Sequence, residues 1–511
     1  MKCFRDIFTT LAASAFYRNG NWFNLKSMEH FDVLIIGAGL SGIGAAAHLK
    51  MDCPQKSFAI LEGREALGGT WDLFRYPGIR SDSDMFTLGY RFRPWTDPKA
   101  IADGPAILEY IRETAKEFKL EDTIRYNHRV KNAAWSTADA LWTIEAEVSA
   151  ETVSLTCNFL YFCTGYYDYE NGYTPDFAGM DKFQGRIVHP QKWTDDIDYT
   201  NKKIVVIGSG ATAVTLVPAL AEKAAHVTML QRSPTYVVSR PAEDKIANTL
   251  RSVLPPNAAY ALSRWKNVLL GMFFYGVSRK SPAVMKRLVA KGVKKEIGAE
   301  LAEKHFTPAY NPWDQRLCLV PDSDLFRAIS EKKASVVTDT IETFTPHGIQ
   351  LKSGEHLDAD IIVTATGLVM KILAGMRLEV DGETVDLSKT ITYKGMMYSD
   401  IPNAAFALGY TNASWTLKCD LTAQYICRML KFMDENNYAI AVPRLNDPTV
   451  ERIPVVDFNS GYIQRAIQTL PSQGSKHPWK LHQNYVKDLR MLRHGNLEDG
   501  TMEFKPKPKA N

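Results

Sequence analysis

Two segments of this chain repeat one order of features, and that repetition fixes most of what the chain can become. Residues 31–36 (FDVLII) form a short, β-rich apolar run that leads into Gly37-Ala38-Gly39-Leu40-Ser41-Gly42 and then a helical pattern over 43–50. Residues 203–207 (KIVVI) lead in the same way into Gly208-Ser209-Gly210-Ala211-Thr212-Ala213. Strand, G-x-G-x-x-G/A and helix in that order is the context of a dinucleotide-binding turn. The first glycine permits the tight turn, the second lets the backbone approach a pyrophosphate, and the third position packs helix on strand. The diphosphate would rest on the free N–H groups and positive dipole end of the helix.

The two segments differ where their next strand ends. The strand over 57–61 stops at Glu62, an acid suited to ribose hydroxyls, which indicates a ribose without 2′-phosphate and hence FAD or NAD. The strand over 226–230 stops at Gln231-Arg232-Ser233 instead. A carboxylate there would repel a 2′-phosphate, whereas Arg232 and Ser233 can pair with it, so this half reads as an NADPH site. The expected fold is α/β, with two Rossmann-like dinucleotide-binding domains, for FAD and NADPH, and a helical insertion. The expected boundaries are an N-terminal extension over 1–27, FAD-binding segments over 28–177 and 368–511, NADPH-binding segments over 178–234 and 305–367, and the insertion over 235–304.

Composition removes several other functions. At 511 residues, 45% hydrophobic and 23% charged, the chain has the make-up of a soluble globular protein with two or three domains. A formal net charge of +4 gives no reason to expect nucleic acid. Its seven cysteines form no C-x-x-C pair, which argues for a reducing cytoplasm and against a disulfide framework, a zinc site or a dithiol flavoprotein reductase. No metal site is expected. No apolar run approaches the ~20 residues of a membrane span. The weakly apolar start of the chain loosely resembles a signal peptide, but Asp6, Thr9, Thr10 and Ser14 dilute it. The preferred reading is a disordered extension or a true start at Met28.

Between the two glycine turns lies FQGRIVHPQKW, with Phe183, Gly185, His189 and Trp193 at fixed intervals. A connection between two nucleotide units must turn sharply, which Gly185 permits, and must be anchored on both sides, which the rings and His189 can do. Earlier in the chain, Gly68-Gly69-Thr70-Trp71-Asp72-Leu73 and Arg75-Tyr76-Pro77-Gly78-Ile79-Arg80-Ser81-Asp82 carry more charge than a loop needs for folding alone. Residues 101–118 show helical spacing, and 153–162 read as a strand ending at Cys163-Thr164-Gly165. From 234 to 312 the pattern turns helical and irregular. Its bases over 260–300, interleaved with Trp265, Leu269, Phe273 and Phe274, suit either a solvated face or contact with an anionic membrane surface. Later come Ala365-Thr366-Gly367, a helix expected over 421–433, and a tail, KPKPKAN, expected to be loose.

The spacing F-x-G-x-x-x-H-x-x-x-W, the G-G-x-W motif and the Y-P-G run closed by Asp82 resemble the Baeyer–Villiger monooxygenases, with Thr194 where the family has Pro or Asp. RYPGIRSDSDMFTLGYRFRPW, YNPWDQRLCLVP and GYTNASWTLK are similar to the subgroup that activates ethionamide. The resemblance runs from about Met28 to the end and implies a flavin monooxygenase using NADPH, O2 and a small ketone or organosulfur substrate. It implies ketone oxidation to esters and sulfur oxygenation through a C4a-peroxyflavin. By that resemblance Thr70, Trp71, Asp72 and Leu73 line the FAD, with Val130 nearby. Asp82 faces the flavin ring, and Arg80 and Ser81 lie toward NADPH. Arg316 would be the active-site cation oriented by Asp82. Relatives carry Lys before that Arg, and Gln315 here leaves the preference for NADPH over NADH open. Two rivals stand beside this reading: an N- or S-oxygenating flavin monooxygenase without ketone activity, and a non-catalytic FAD/NADPH sensor.

Overall fold

The computed structural model describes residues 28–315, 317–456 and 460–508, with the backbone of two short paired strands, Tyr17–Arg18 and Asn21–Trp22. The rest of the expected 1–27 extension, and Arg316, lie outside the described residues. The first sheet is built on β1 (Glu29–Ile36), flanked in parallel by β2 (Phe58–Leu61) and by the long β5 (Glu151–Phe162). Val33, Leu34 and Ile35 are wholly buried, which is why 31–36 reads as a continuous apolar run and not an alternating one. Beyond β5 the sheet turns antiparallel through β4 (Leu141–Val148) and β3 (Arg129–Ser136), while β13 (Ala404–Phe406) pairs in parallel with the end of β5.

The second sheet has five strands, all parallel: β6 (Arg186–Val188), β12 (Ile361–Thr364), β7 (Lys203–Ile207), β8 (His226–Gln231) and β11 (Ala334–Thr338), in that spatial order. The histidine-containing fingerprint therefore supplies the edge strand β6. Helix α1 (Leu40–Asp52) follows the first glycine turn, and α3 (Ala211–Leu220) the second. The two sheets are tied at their C-terminal ends. Cys163-Thr164-Gly165 leaves β5, Ala365-Thr366-Gly367 leaves β12, and the strands that follow, Tyr167–Gly172 and Leu368–Met370, pair antiparallel.

Three expectations change in detail. The region after 234 is helical, with α4 (Lys245–Val253), α5 (Pro256–Lys280) and α6 (Pro282–Ile297), yet it opens with strand β9 (Val237–Arg240). That strand pairs in parallel with β10 (Cys318–Pro321), a partner too remote in sequence to leave a local signal. Helix α7 runs Trp415–Glu435, starting six residues before the expected 421, because Lys418 and Asp420 in its first turns are buried in ion pairs and not solvated. The start of the tail is not loose: β15 (Met502–Pro506) pairs antiparallel with β14 (Tyr438–Pro443).

Candidate active site

Each glycine turn is pressed from behind by the crossing peptide of its own sheet. Gly37 has φ +104°, and a Cβ there would lie 2.6 Å from the Cys163 carbonyl oxygen. Gly208 has φ +135°, and a Cβ there would lie 2.4 Å from the Ala365 carbonyl oxygen. Only glycine meets both demands, left-handed backbone and close approach. Turn and crossing therefore share one spot at the carboxyl end of each sheet, where ligands bind in open α/β folds.

Around the first turn, Glu62 ends β2 with its carboxylate accepting from the Ala38 N–H (2.8 Å) and the Arg64 N–H (3.0 Å). Burial raises its pKa, against the pull of those two donors. Val130 is buried near the start of β3, whose first residue, Arg129, packs on Gly63. The Ser41 hydroxyl accepts from the Trp415 indole N–H at 2.9 Å, so the N-terminus of α7 meets the first turn of α1. Trp415 also stacks on Tyr166, with centroids 5.2 Å apart. Neither ring was singled out from the sequence. For Trp415 the available signal was Ser414, which precedes the helix at its N-cap.

The GGTWDL segment is a four-residue helix, Thr70–Leu73, laid against the first turn: the Gly68 N–H donates to the Ala38 carbonyl at 2.9 Å. Asp72 is buried and held by Arg64 at 2.7 Å, so it braces the loop. Trp71 and Leu73 are half-buried beside it. The loop then crosses to the second unit. The Tyr76 phenol hydrogen-bonds Thr212 in the second turn, and burial with Asp82 nearby pushes its pKa well up. A Cβ on Gly78 would lie 2.9 Å from the Thr215 carbonyl oxygen of α3. Arg80 is engaged by Asp324 (2.5 Å), and the buried Ser81 hydroxyl donates to the Ser83 carbonyl (2.7 Å).

At the second turn Arg232 and Ser233 are exposed just past the end of β8, the position a 2′-phosphate contact needs. Gln231 is a correction. Its side chain is 1% exposed and donates inward to the His305 carbonyl (2.7 Å) and to Thr338 (2.8 Å), because the last residue of a central strand points into the core here. Ser209, Ala211 and Ala213 line the turn and the start of α3, with Ala213 buried.

The central fingerprint divides its work along β6. Before the strand, Phe183 is buried, and a Cβ on Gly185 would lie 2.3 Å from the Asp360 carbonyl oxygen. After it, His189 Nδ1 accepts from the Gln191 N–H (3.2 Å), which leaves Nε2 to donate to the Gly367 carbonyl (3.1 Å). Desolvation lowers the His189 pKa below its usual 6.5, so the ring is neutral at pH 7. Trp193 is buried and meets Tyr199 edge-on at 6.0 Å.

The residues present suit two dinucleotides. Gly39 and Gly210 are the N-caps of α1 and α3, and neither helix has a side-chain cap, so first-turn N–H groups are left for a ligand. A Cβ on Gly210 would meet nothing within 4 Å, so that turn opens onto space. Asn412 Oδ1, in the loop before α7, is buried with no protein donor. Among the described residues no cluster of His, Cys, Asp or Glu could hold a metal ion.

Two family models match: the flavin-binding monooxygenase-like family over residues 97–253 and an NAD(P)-binding Rossmann-like domain over 35–99. The chain is 54% identical over 483 residues to the FAD-containing monooxygenase EthA of Mycobacterium tuberculosis (strain ATCC 25618 / H37Rv), covering 94% of this chain and 99% of the relative. Its fold is similar to that of oxidized steroid monooxygenase bound to NADP (TM-score 0.71, 21% identity, 93% of this chain and 100% of that one). A structure of OTEMO complexed with FAD and NADP gives a TM-score of 0.70 at 21% identity, covering 94% of this chain and 100% of that one.

Proposed function

We propose that this chain, which belongs to the FAD-containing monooxygenases, is an NADPH-dependent enzyme of Baeyer–Villiger type that inserts oxygen into ketones and oxygenates the sulfur of thioethers and thioamides. The observation that carries this reading is the Arg75–Asp82 loop. It leaves the first nucleotide turn and lands on the second, with Tyr76 on Thr212 and Gly78 on α3. Two nucleotides bound at these turns would sit close enough to exchange a hydride.

In this reading FAD is held by Gly37, Gly39, Ser41, Gly42, Glu62, Val130 and the 70–73 segment, within 28–177 and 368–511. NADPH is held by residues 208–213 and Arg232, within 178–234 and 305–367, with 235–304 inserted. Bound FAD, once reduced, supplies the activation of O2. The chain's own residues do the rest. Arg316 supplies a fixed cation for negative charge developing on the substrate carbonyl oxygen, and Asp82 orients it. Trp193 and the His189 loop keep water from the space between the nucleotides. One oxygen atom enters the ketone beside its carbonyl carbon, the other leaves as water, and NADPH supplies the two electrons.

The enzyme is read as cytoplasmic. Incubation with NADPH and either phenylacetone or 2-octanone is expected to give the ester. Sulfoxide from a thioether without any ester would favour the S-oxygenating reading, and the absence of substrate-dependent NADPH consumption would favour a non-catalytic sensor.

A further inference from the structure

Helix α5 carries its largest apolar side chains outward as well as inward. The side that faces the protein buries Ser263, Arg264 and Ser278 alongside Ala259, Tyr260 and Val268, with Asn267 half-buried. Arg264 is only 5% exposed, donates to the carbonyls of Phe86 (2.8 Å) and Gly89 (2.7 Å), and pairs with Asp420 (3.3 Å). The outward side carries Leu262, Leu269 and Phe273, which are 52%, 53% and 63% exposed, with Trp265, Leu270 and Phe274 beside them. Positions 262, 265, 269 and 273 recur at helical spacing, so these residues form one stripe. A contiguous exposed apolar face of this kind marks a surface that something covers.

The charge around it says what. From Lys245 to Lys295 the sequence holds no Asp or Glu and eleven Lys and Arg, leaving 50 bases against 57 acids elsewhere in the chain. Helix α6 continues the pattern, with Val284 and Leu288 exposed among the exposed Arg287, Lys291 and Lys295. We propose that the outward faces of α5 and α6 dock on an anionic lipid bilayer. An apolar stripe entering the headgroup boundary beside a run of bases is the make-up of a surface-lying helix. A second copy of the same face would set two acid-free basic segments against each other, whereas an anionic bilayer neutralises them. No described helix is long and apolar enough to cross a membrane, so the contact lies along the surface.

The contact is wired to the reaction site, a step that rests on the function proposed above. Asn267 donates to Asp84 at 2.8 Å, and Asp84 caps the helix Met85–Leu88 that follows Asp82. Docking by α5 therefore sets the Arg80–Asp84 segment one helix behind the bilayer surface, where apolar ketones and sulfides concentrate.

The test is co-sedimentation of the FAD-loaded enzyme with phosphatidylglycerol/phosphatidylcholine vesicles and with phosphatidylcholine alone. Binding is expected only to the anionic vesicles, and it should fall roughly ten-fold in about 0.5 M salt. The double variants Leu269→Ser/Phe273→Ser and Arg287→Glu/Lys291→Glu should each weaken it roughly ten-fold or more, with FAD content and flavin reduction by NADPH unchanged. An enzyme reduced by NADPH that ignores anionic vesicles overturns the docking and leaves the enzymatic reading intact. Variants that bind as well as the wild type overturn it too. Should the apolar variant instead turn an oligomer into a monomer while vesicles are never bound, the face belongs to a second copy and the proposal falls.

Discussion

His189 Nε2 donates to the Gly367 carbonyl oxygen at 3.1 Å, so the ring of the central fingerprint grips the peptide by which the chain leaves the second sheet. Its Nδ1 accepts from the Gln191 N–H, which fixes the neutral tautomer. Protonation would turn that acceptor into a donor facing another donor. Because the folded pKa lies below 6.5, the grip is complete above that value and is lost as pH falls through the lower, folded one. The KM for NADPH should be flat at neutral pH and rise below about 6.5. In His189→Ala it should be high at every pH, while FAD content stays normal. A wild-type KM that does not move between neutral and acidic pH would remove the ring from cofactor positioning.

Gly185 and Gly210 should fail in different ways. A Cβ at Gly185 meets the Asp360 carbonyl oxygen at 2.3 Å and the Phe183 ring at 2.6 Å, so Gly185→Ala forces backbone and ring apart. The cost should be about 2 kcal/mol, read as an earlier unfolding transition in urea. At Gly210 the added methyl meets no protein atom within 4 Å. Gly210→Ala should therefore unfold like the wild type and lose NADPH affinity. Equal stability losses in the two variants would show that the second turn is not an open nucleotide cradle.

Much of this was legible in the chain, and what was not has a common cause. Strands β1 and β7 are apolar on both faces and run into glycines that no other residue can replace, so they announce themselves locally. His189 and Gly185 were placed as anchor and turn by their position alone. The misreadings all involve partners far away in sequence. Gln231 reads with Arg232 as an NADPH-site residue because it ends a strand, but Thr338 and the His305 carbonyl turn its side chain inward. Lys418 gives no local sign that it belongs to helix α7, where it is buried against Asp488 at 3.0 Å. Arg264 looked like one more base in a basic segment, and only Asp420 and the Phe86 and Gly89 carbonyls, all more than 150 residues away, explain why it is buried.

Arg232 is the exposed cation just past the end of β8. A charge-assisted contact with a 2′-phosphate contributes about 2 kcal/mol, so Arg232→Ala should raise the KM for NADPH roughly thirty-fold. The KM for NADH should hardly change, because that nucleotide has no 2′-phosphate. Steady-state kinetics with both nucleotides decides it, and parallel losses would place Arg232 outside the phosphate contact.

Arg316 carries the assignment of the chemistry, so its removal should uncouple the enzyme. Arg316→Ala is expected to keep its FAD and to be reduced by NADPH, but to release hydrogen peroxide in place of ester. Gas chromatography of the ketone incubation, run beside a peroxide assay, reads both quantities. Ester at the wild-type rate would strike the residue from the mechanism.

Arg264 and Asp420 make the boldest stability prediction. Both are nearly inaccessible, and the guanidinium also serves the Phe86 and Gly89 carbonyls. Arg264→Met keeps most of the volume but leaves Asp420, among the described residues, with His48 as its one cationic side-chain partner. Removing one partner of a buried pair costs about 3–5 kcal/mol, far more than loss of a surface pair, and His48 and the Arg91 N–H that stay on Asp420 put this variant at the lower end of that range. Asp420→Asn in the same background removes the stranded charge and should restore part of the loss. Urea unfolding of the two single variants and the double one gives the coupling directly. If Arg264→Met unfolds within about 1 kcal/mol of the wild type, the polar contacts on the inner side of α5 do not hold the helix in place.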